Sequence, residues 1–298
     1  MEDPMGDRLK EYEGMESGRR FLPQLPVVAR LDGKCFSNYT NDLARSPEQP
    51  FDDAFHSVMV SVTKYLVDET CACMSYTQSD EITLCWHSDG YESQIWFDGR
   101  IQKMCSVLAA MASSAFNVLA AGKTQGGEMV HGRLLARKTT TPFFGVELHR
   151  PLALFDCRIW QLPTLDEGAN CFLWREYDCL KNSVSMSART MYSHKELMNK
   201  TSSEMQEMMW QKGVNFNDYP SFFKRGTYVQ RRKKTRLLTP EEMANIPEKF
   251  RPTEPVERTE IVELDLPPLS KVTNRPGVIF RGEDPVLAAD KEGVPAGA

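Results

Sequence analysis

Hydrophobic and polar positions fall into short blocks along this chain. Residues 26–31, PVVARL, form an apolar run ending at Asp32-Gly33, which predicts a strand. From Phe51, apolar residues recur at 51, 55, 58, 62, 65 and 66, one face of a helix whose first turn carries Asp52 and Asp53. Next comes CMSYTQSDEITLCW, residues 73–86: two alternating, β-prone runs flanking Gln78-Ser79-Asp80-Glu81. That pattern predicts a hairpin, but one whose tip carries two adjacent acids and lacks the usual Asn-Gly or Asp-Gly. From Ser93 a second helix is predicted, apolar at 97, 101, 104, 105, 108, 111, 112 and 115, with Arg100 and Lys103 on its other side. Residues 121–141 are rich in Gly, Lys and Thr and read as a loop; FFGVEL, 143–148, reads as an extra strand and FDCRIWQL, 155–162, as the last one.

The order β-α-β-β-α-β predicts an α+β fold of ferredoxin-like type, an antiparallel sheet with two helices on one face. Beyond Asp166 the pattern turns helical, around 167–191 and 202–212, followed by a short strand at 227–231 and the basic run Arg231-Arg232-Lys233-Lys234. From Thr239 prolines recur without sustained periodicity, and the region after about 270 reads as poorly ordered. The organisation expected is therefore a catalytic domain over 1–165, a mainly helical part over 166–238 and a Pro-rich, partly disordered extension over 239–298.

Composition narrows the classes. With 298 residues, 41% hydrophobic and 26% charged, the chain has the make-up of a globular protein. A net charge of -5 excludes a generic polyanion binder, so any nucleic acid must meet a local basic patch. The eight cysteines contain no C-x-x-C pair, which argues against a zinc ribbon. The charged N-terminus MEDPMGDRLKEYEG reads as no signal peptide, and no apolar run approaches a membrane span. Free thiols in a reducing cytoplasm, with no membrane partner, are the expectation.

In the predicted sheet, strand one lies beside the hairpin, so Asp32 approaches Asp80 and Glu81. Carboxylates at that range raise one another's pKa, and a divalent cation removes the conflict. Oxygen ligands suit Mg²⁺, held by one or two carboxylates plus substrate phosphates, and two such ions serve phosphoryl or nucleotidyl transfer. The residues alone leave a second reading open, in which Asp32 and the Ser-Asp-Glu tip are solvated turns.

The blocks VVARLDGKCFSNYT, PFDDAFHSVM, SYTQSDEITLCW, FDCRIW, WREYDCLKNS and FFKRGTYV follow one another in an order that resembles the tRNA-His guanylyltransferase family, with its 3′–5′ RNA polymerase-like members, over about residues 5–232. The resemblance implies a palm shared with polymerases and nucleotide cyclases, acting on tRNA with ATP, GTP or other NTPs and two Mg²⁺ ions. It implies metal binding by Asp32, Asp80 and the Gly33 carbonyl, with Glu81 as a nearby acid. Lys34, Ser79, Arg100 and Lys103 would face the nucleotide's phosphates. Asn182, Lys224, Arg225 and Arg231, with the basic residues after it, would meet RNA. A homo-oligomer, a tetramer, is also implied. One departure matters: histidine-specific members carry C-H-I-N-N where this chain has Cys179-Leu180-Lys181-Asn182-Ser183. The missing histidine turns the expectation toward templated repair of 5′-truncated tRNA rather than single G addition to tRNA-His. The alternatives are a nucleotidyl cyclase sharing the palm and a non-catalytic RNA-binding protein.

Overall fold

The computed structural model describes residues 3–36, 40, 45–120, 141–143, 146–148 and 152–288. In chain order the strands are β1 (Val27–Gly33), β2 (Met74–Gln78), β3 (Glu81–Trp86), β4 (Thr141–Phe143), β5 (Val146–Leu148), β6 (Phe155–Gln161), β7 (Thr227–Arg236) and β8 (Val256–Leu264). The helices are α1 (Pro4–Ser17), α2 (Asp53–Thr70), α3 (Ile101–Ala120), α4 (Leu165–Arg189), α5 (His194–Leu197), α6 (Ser202–Gln211), α7 (Ser221–Arg225), α8 (Pro240–Ala244) and α9 (Arg275–Arg281).

Six strands form one sheet in the order β6-β1-β3-β2-β7-β8. Every neighbouring pair is antiparallel. The first four of those positions reproduce the expected split β-α-β unit. Alternation along β1 sends Val27, Ala29 and Leu31 to one face, where they pack with Val58, Val62 and Leu66 of α2 and Met104, Leu108 and Phe116 of α3. Val28 goes to the other face and joins Met74, Tyr76, Phe172 and Tyr228. The C-terminal helices thus cover the face that the two palm helices leave open, so both faces of the sheet are buried. Val184, Ala188, Met209, Phe216 and Phe223 hold the helical part together as a third cluster.

Four expectations need correction. The helix read from Ser93 starts at Ile101, because Phe97, Asp98 and Gly99 all take positive φ and break the turn before it. The predicted strand 143–148 is two short strands, β4 and β5, paired antiparallel; the loop read over 121–141 lies outside the described residues except for Thr141. The Pro-rich extension is not unstructured over its described part. Its strand β8 pairs with nine residues of β7, and Leu269, Val272, Val278 and Ile279 are buried in the second core. Charge pairing with β7 and a few well-placed apolar residues order it where composition predicted none. Finally, Ile101–Ala120 is long and apolar enough by length and composition to cross a membrane; its buried stripe, Met104, Leu108, Ala112, Phe116 and Ala120, packs against the sheet as that of a core helix does.

Helix α4 carries two charged residues on its buried stripe, Arg175 and Glu176. Glu176 accepts hydrogen bonds from the Tyr228 hydroxyl, 2.8 Å, and the Leu269 amide, 3.1 Å, so it ties the C-terminal segment to the sheet. Burial pushes its carboxyl above the ordinary range, and those two donors pull it partly back. A carboxyl raised on folding contributes stability at acid pH that is lost as pH rises through its folded pKa. Glu176→Gln removes that dependence while keeping the shape. Its stability relative to wild type is expected to improve in urea unfolding as pH rises above the ordinary carboxylate range; a difference independent of pH contradicts the assignment.

Candidate active site

The site is built where β1 ends and the β2–β3 hairpin turns. Gln78 pairs with Glu81, leaving Ser79 and Asp80 as the two loop residues. Ser79 takes φ +47°, a left-handed conformation that glycine would adopt at lower cost. Its hydroxyl donates to Asp80 Oδ1 at 3.0 Å. The side chain therefore has a use that glycine lacks, and it is spent on aiming Asp80.

Asp32 lies opposite Glu81 on one side and Asp156 on the other, so three acids share one row across β6, β1 and β3. The Gly33 amide donates to the Asp80 carbonyl at 3.1 Å, which fastens the end of β1 to the hairpin tip. A Cβ on Gly33 would stand 2.4 Å from the Phe36 ring, so the turn closes only over glycine. Burial pushes the Asp80 carboxyl up, and the charge of Asp32 adds to that; backbone and Ser79 hydrogen bonds work against it.

Glu81 is not a third free acid. Arg175 donates to it through both Nε, 2.5 Å, and Nη2, 2.8 Å, and Arg30 approaches it at 3.9 Å. Arg175 also holds Asp178 at 2.7 Å, and Asp178 accepts from Asn182 at 3.1 Å. The sequence reading missed Arg175 and Asp178. The signal was present: Arg175 occupies a core position of the helical pattern, where an unpaired charge is too costly to bury.

These residues face a cavity of about 820 Å³. Asp32, Ser79, Asp80, Glu81 and Asn182 all line it, and so do Arg45, His56, Asp178 and Arg189, which the sequence reading did not single out. Arg45 and Arg189 have no ion pair among the described residues, so the cavity carries carboxylates at one end and open cations elsewhere on its wall.

The remaining predicted residues do not converge there. Lys34 is exposed just past β1, its amide bonded to the Leu154 carbonyl at 2.8 Å. Arg100 and Lys103 lie at the opposite end of the sheet. The Gly99 carbonyl accepts from Phe21, ahead of β1, and Lys103 sits 4.4 Å from the Phe97 ring centre. Arg100 forms an isolated antiparallel bridge with Arg20 ahead of β1, and the length of β1 puts roughly 15 Å between the start of that strand and Asp32. The basic residues from the end of α7 onward are largely engaged as well. Arg225 donates to the Leu266 carbonyl, Arg231 holds Asp68, Arg232 holds Asp284, and Lys233 and Lys234 hold Glu257 and Glu260 of β8. Lys224 donates to the Asn217 carbonyl. Two of these partners, Glu257 and Glu260, come from β8, a strand the sequence reading did not foresee.

The fit of a metal can be judged from the donors alone. Among the described residues no group of three or more His, Cys, Asp or Glu side chains gathers into a metal cage. A pair of carboxylates with a nearby backbone carbonyl, open to a nucleotide-sized cavity, is what Mg²⁺ uses when substrate phosphates complete its shell. Asp32 has no hydrogen-bond or ion-pair partner among the described residues, and the Asp80 carboxyl is pushed up by burial first and by the charge of Asp32 in addition. Asp32 and Asp80 fit a hard divalent cation; Glu81, committed to Arg175, does not.

An antiparallel palm with acids on β1 and at the hairpin tip defines a class of nucleotide-handling enzymes. The family model of tRNAHis guanylyltransferase matches residues 6–163, more than half of the chain. Two solved structures titled bacterial tRNA(His) guanylyltransferase (Thg1)-like protein are similar. The one in complex with ATP is 34% identical, with TM-score 0.63, over 76% of this chain and 88% of that one. The one in complex with GTP is 29% identical, with TM-score 0.63, over 90% and 95%. A relative from Acanthamoeba polyphaga mimivirus, the uncharacterized protein R259, is 30% identical over 228 residues, 70% of this chain and 72% of its own. The tRNA(His) guanylyltransferase of Neurospora crassa is 26% identical over 238 residues, 75% of this chain and 71% of its own. The chain belongs to the tRNAHis guanylyltransferase family of nucleotidyltransferases.

Removing Arg175 alone strands the buried Glu81 charge. Arg175→Met is therefore expected to cost about 3–5 kcal/mol in chemical unfolding. Pairing it with Glu81→Gln should restore a large part of that. A single variant within about 1 kcal/mol of wild type would sink the claim that this pair holds the hairpin.

Proposed function

We propose that this chain adds nucleotides to the 5′ end of tRNA in the 3′–5′ direction, with Mg²⁺ held by Asp32, Asp80 and the Gly33 carbonyl. One observation carries the reading: Asp32 and Asp80, neither with an ion-pair partner among the described residues, line one cavity sized for a nucleotide. The bacterial relatives in complex with ATP and GTP support nucleoside triphosphates as its occupants.

Bound there, Mg²⁺ supplies charge neutralisation at the entering and leaving oxygens. The chain's own residues do the positioning. Ser79 fixes the Asp80 carboxylate, and Arg175 fixes Glu81 and with it the hairpin tip. Arg45 and Arg189 offer guanidinium donors to phosphate oxygens within the cavity. The 3′-hydroxyl of the bound nucleotide is held against an activated RNA 5′ phosphorus. The bond formed is 3′-O to phosphorus, and the bond broken releases AMP or pyrophosphate. Most of the acceleration then comes from orientation and electrostatics.

The choice of RNA rests on Leu180. It is 39% exposed on α4, outside the cavity, where the histidine-specific members carry a histidine. A leucine neither donates nor accepts a hydrogen bond, so the contact that selects one tRNA is missing. Base pairing with the facing strand is then left to select the nucleotide, which favours repair of truncated tRNA over G addition to tRNA-His.

Asp32→Ala and Asp80→Ala are each expected to lower 5′ extension at least about 100-fold, the scale of losing a charge-stabilising group. Melting temperature should hold or rise, because apo-state repulsion is relieved. Near wild-type extension by either variant in Mg²⁺ removes the metal assignment.

The templating claim is tested on two unrelated tRNAs lacking their first nucleotide, with the facing base changed in each. Incorporation should follow the facing base in both. Incorporation of G alone, whatever base faces it, restores the histidine-specific activity.

A further inference from the structure

The cavity seats one nucleotide and leaves the RNA end without a described place. Beside it, α4 exposes two large aromatic residues, Trp174 at 51% and Tyr177 at 52%. Neither lines the cavity. They stand three positions apart on a helix, so their rings rise from one side of it. Asp178 and Asn182, which follow on the same helix, do line the cavity.

Trp174 is not a loose surface residue. The Arg175 guanidinium lies 4.5 Å from its ring centre and the Arg30 guanidinium 5.6 Å. Both guanidiniums also approach Glu81, at 2.5 Å and 3.9 Å. The indole is therefore braced against the same charge network that sets the hairpin tip. Arg30 precedes Asp32 by two residues on β1 and points to the same sheet face, so the indole stands beside the carboxylates. Buried Arg30 Nε has no hydrogen-bond partner among the described residues, which leaves stacking on Trp174 and the ion pair with Glu81 as what holds the guanidinium.

We propose that Trp174 and Tyr177 form a stacking platform for the terminal nucleobases of the RNA substrate, outside the nucleotide cavity. This rests on RNA being the second substrate, as proposed above. Every base offers a π-face, and aromatic platforms of this kind take bases with little regard to sequence. The nearby acid Asp178 is already held by Arg175, so the exposed ring faces are what this side of the helix offers a ligand. Lys181, exposed four positions after Tyr177 and without an ion pair among the described residues, is left for the adjoining backbone. A sequence-tolerant platform also suits an enzyme whose selectivity comes from pairing within the RNA.

The test uses the full chain and a truncated tRNA carrying 2-aminopurine as its 5′-terminal base, in Mg²⁺ without NTP, so that nothing turns over. Wild type is expected to quench the 2-aminopurine. Trp174→Ala and Tyr177→Ala should each lose quenching and raise Kd about 5- to 100-fold, while Trp174→Phe retains both. In a parallel reaction with NTP the alanine variants should raise KM for RNA and leave KM for NTP unchanged. Tyr177 has no ring or cation partner among the described residues, so its variant guards against misfolding. Wild type that binds the RNA without quenching, or quenching and Kd unchanged in both alanine variants, overturns the platform. Absence of 5′ extension by wild type overturns the functional reading instead; extension with unchanged quenching overturns the platform alone.

Discussion

A buried ion pair, Arg175 with Glu81, joins the long helix of the C-terminal part to the hairpin of the palm, and the geometry of the site depends on it. Buried pairs often add little net stability, because desolvation offsets the attraction. This one is better understood by what it positions. Glu81 is the first residue of β3 and adjoins Asp80, so fixing its carboxylate bidentately fixes the tip. The same guanidinium reaches Asp178 and braces Trp174, which links the cavity wall and the exposed aromatics to one residue.

The two adjacent acids at the tip then have separate duties. Glu81 spends its charge on arginine and is structural in character. Asp80 and Asp32 have no arginine to spend theirs on, and the charge of Asp32 adds to the burial that already pushes the Asp80 carboxyl up. Ser79 adds strain of about 1 kcal/mol or more by taking a left-handed backbone. A hairpin selected only for stability would carry Asn-Gly and a neutral neighbour. The conflict is concentrated at one sheet edge, beside a cavity, where a cation would resolve it.

Much of this was legible in the sequence. Period-two and helical patterns located the palm strands and helices, and the strand order placed Asp32 beside Asp80. What escaped depended on partners distant along the chain. Arg231 to Lys234 read as a free basic run because their partners lie far along the chain: Asp68 on α2, Glu257 and Glu260 on β8, and Asp284 near the end of the Pro-rich segment. Arg100 and Lys103 matched a phosphate-binding pattern on their helix, but chain direction carries that end of the helix away from the carboxylates. Arg175 and Trp174 were hidden for opposite reasons. One is a charge on a buried stripe and the other an aromatic on an exposed one, so each inverts the pattern by which helices are read.

The central claim is that Asp32 and Asp80 together hold a divalent cation on a hairpin set by Arg175. Mn²⁺ reports on this without turnover, because free and bound ions differ in paramagnetic resonance signal. Titration of the protein with Mn²⁺ and an NTP is expected to reveal binding beyond that of the nucleotide alone. That binding should be lost in both Asp32→Asn and Asp80→Asn while the folded state is kept. Equal Mn²⁺ stoichiometry and affinity in wild type and the two variants would contradict the account.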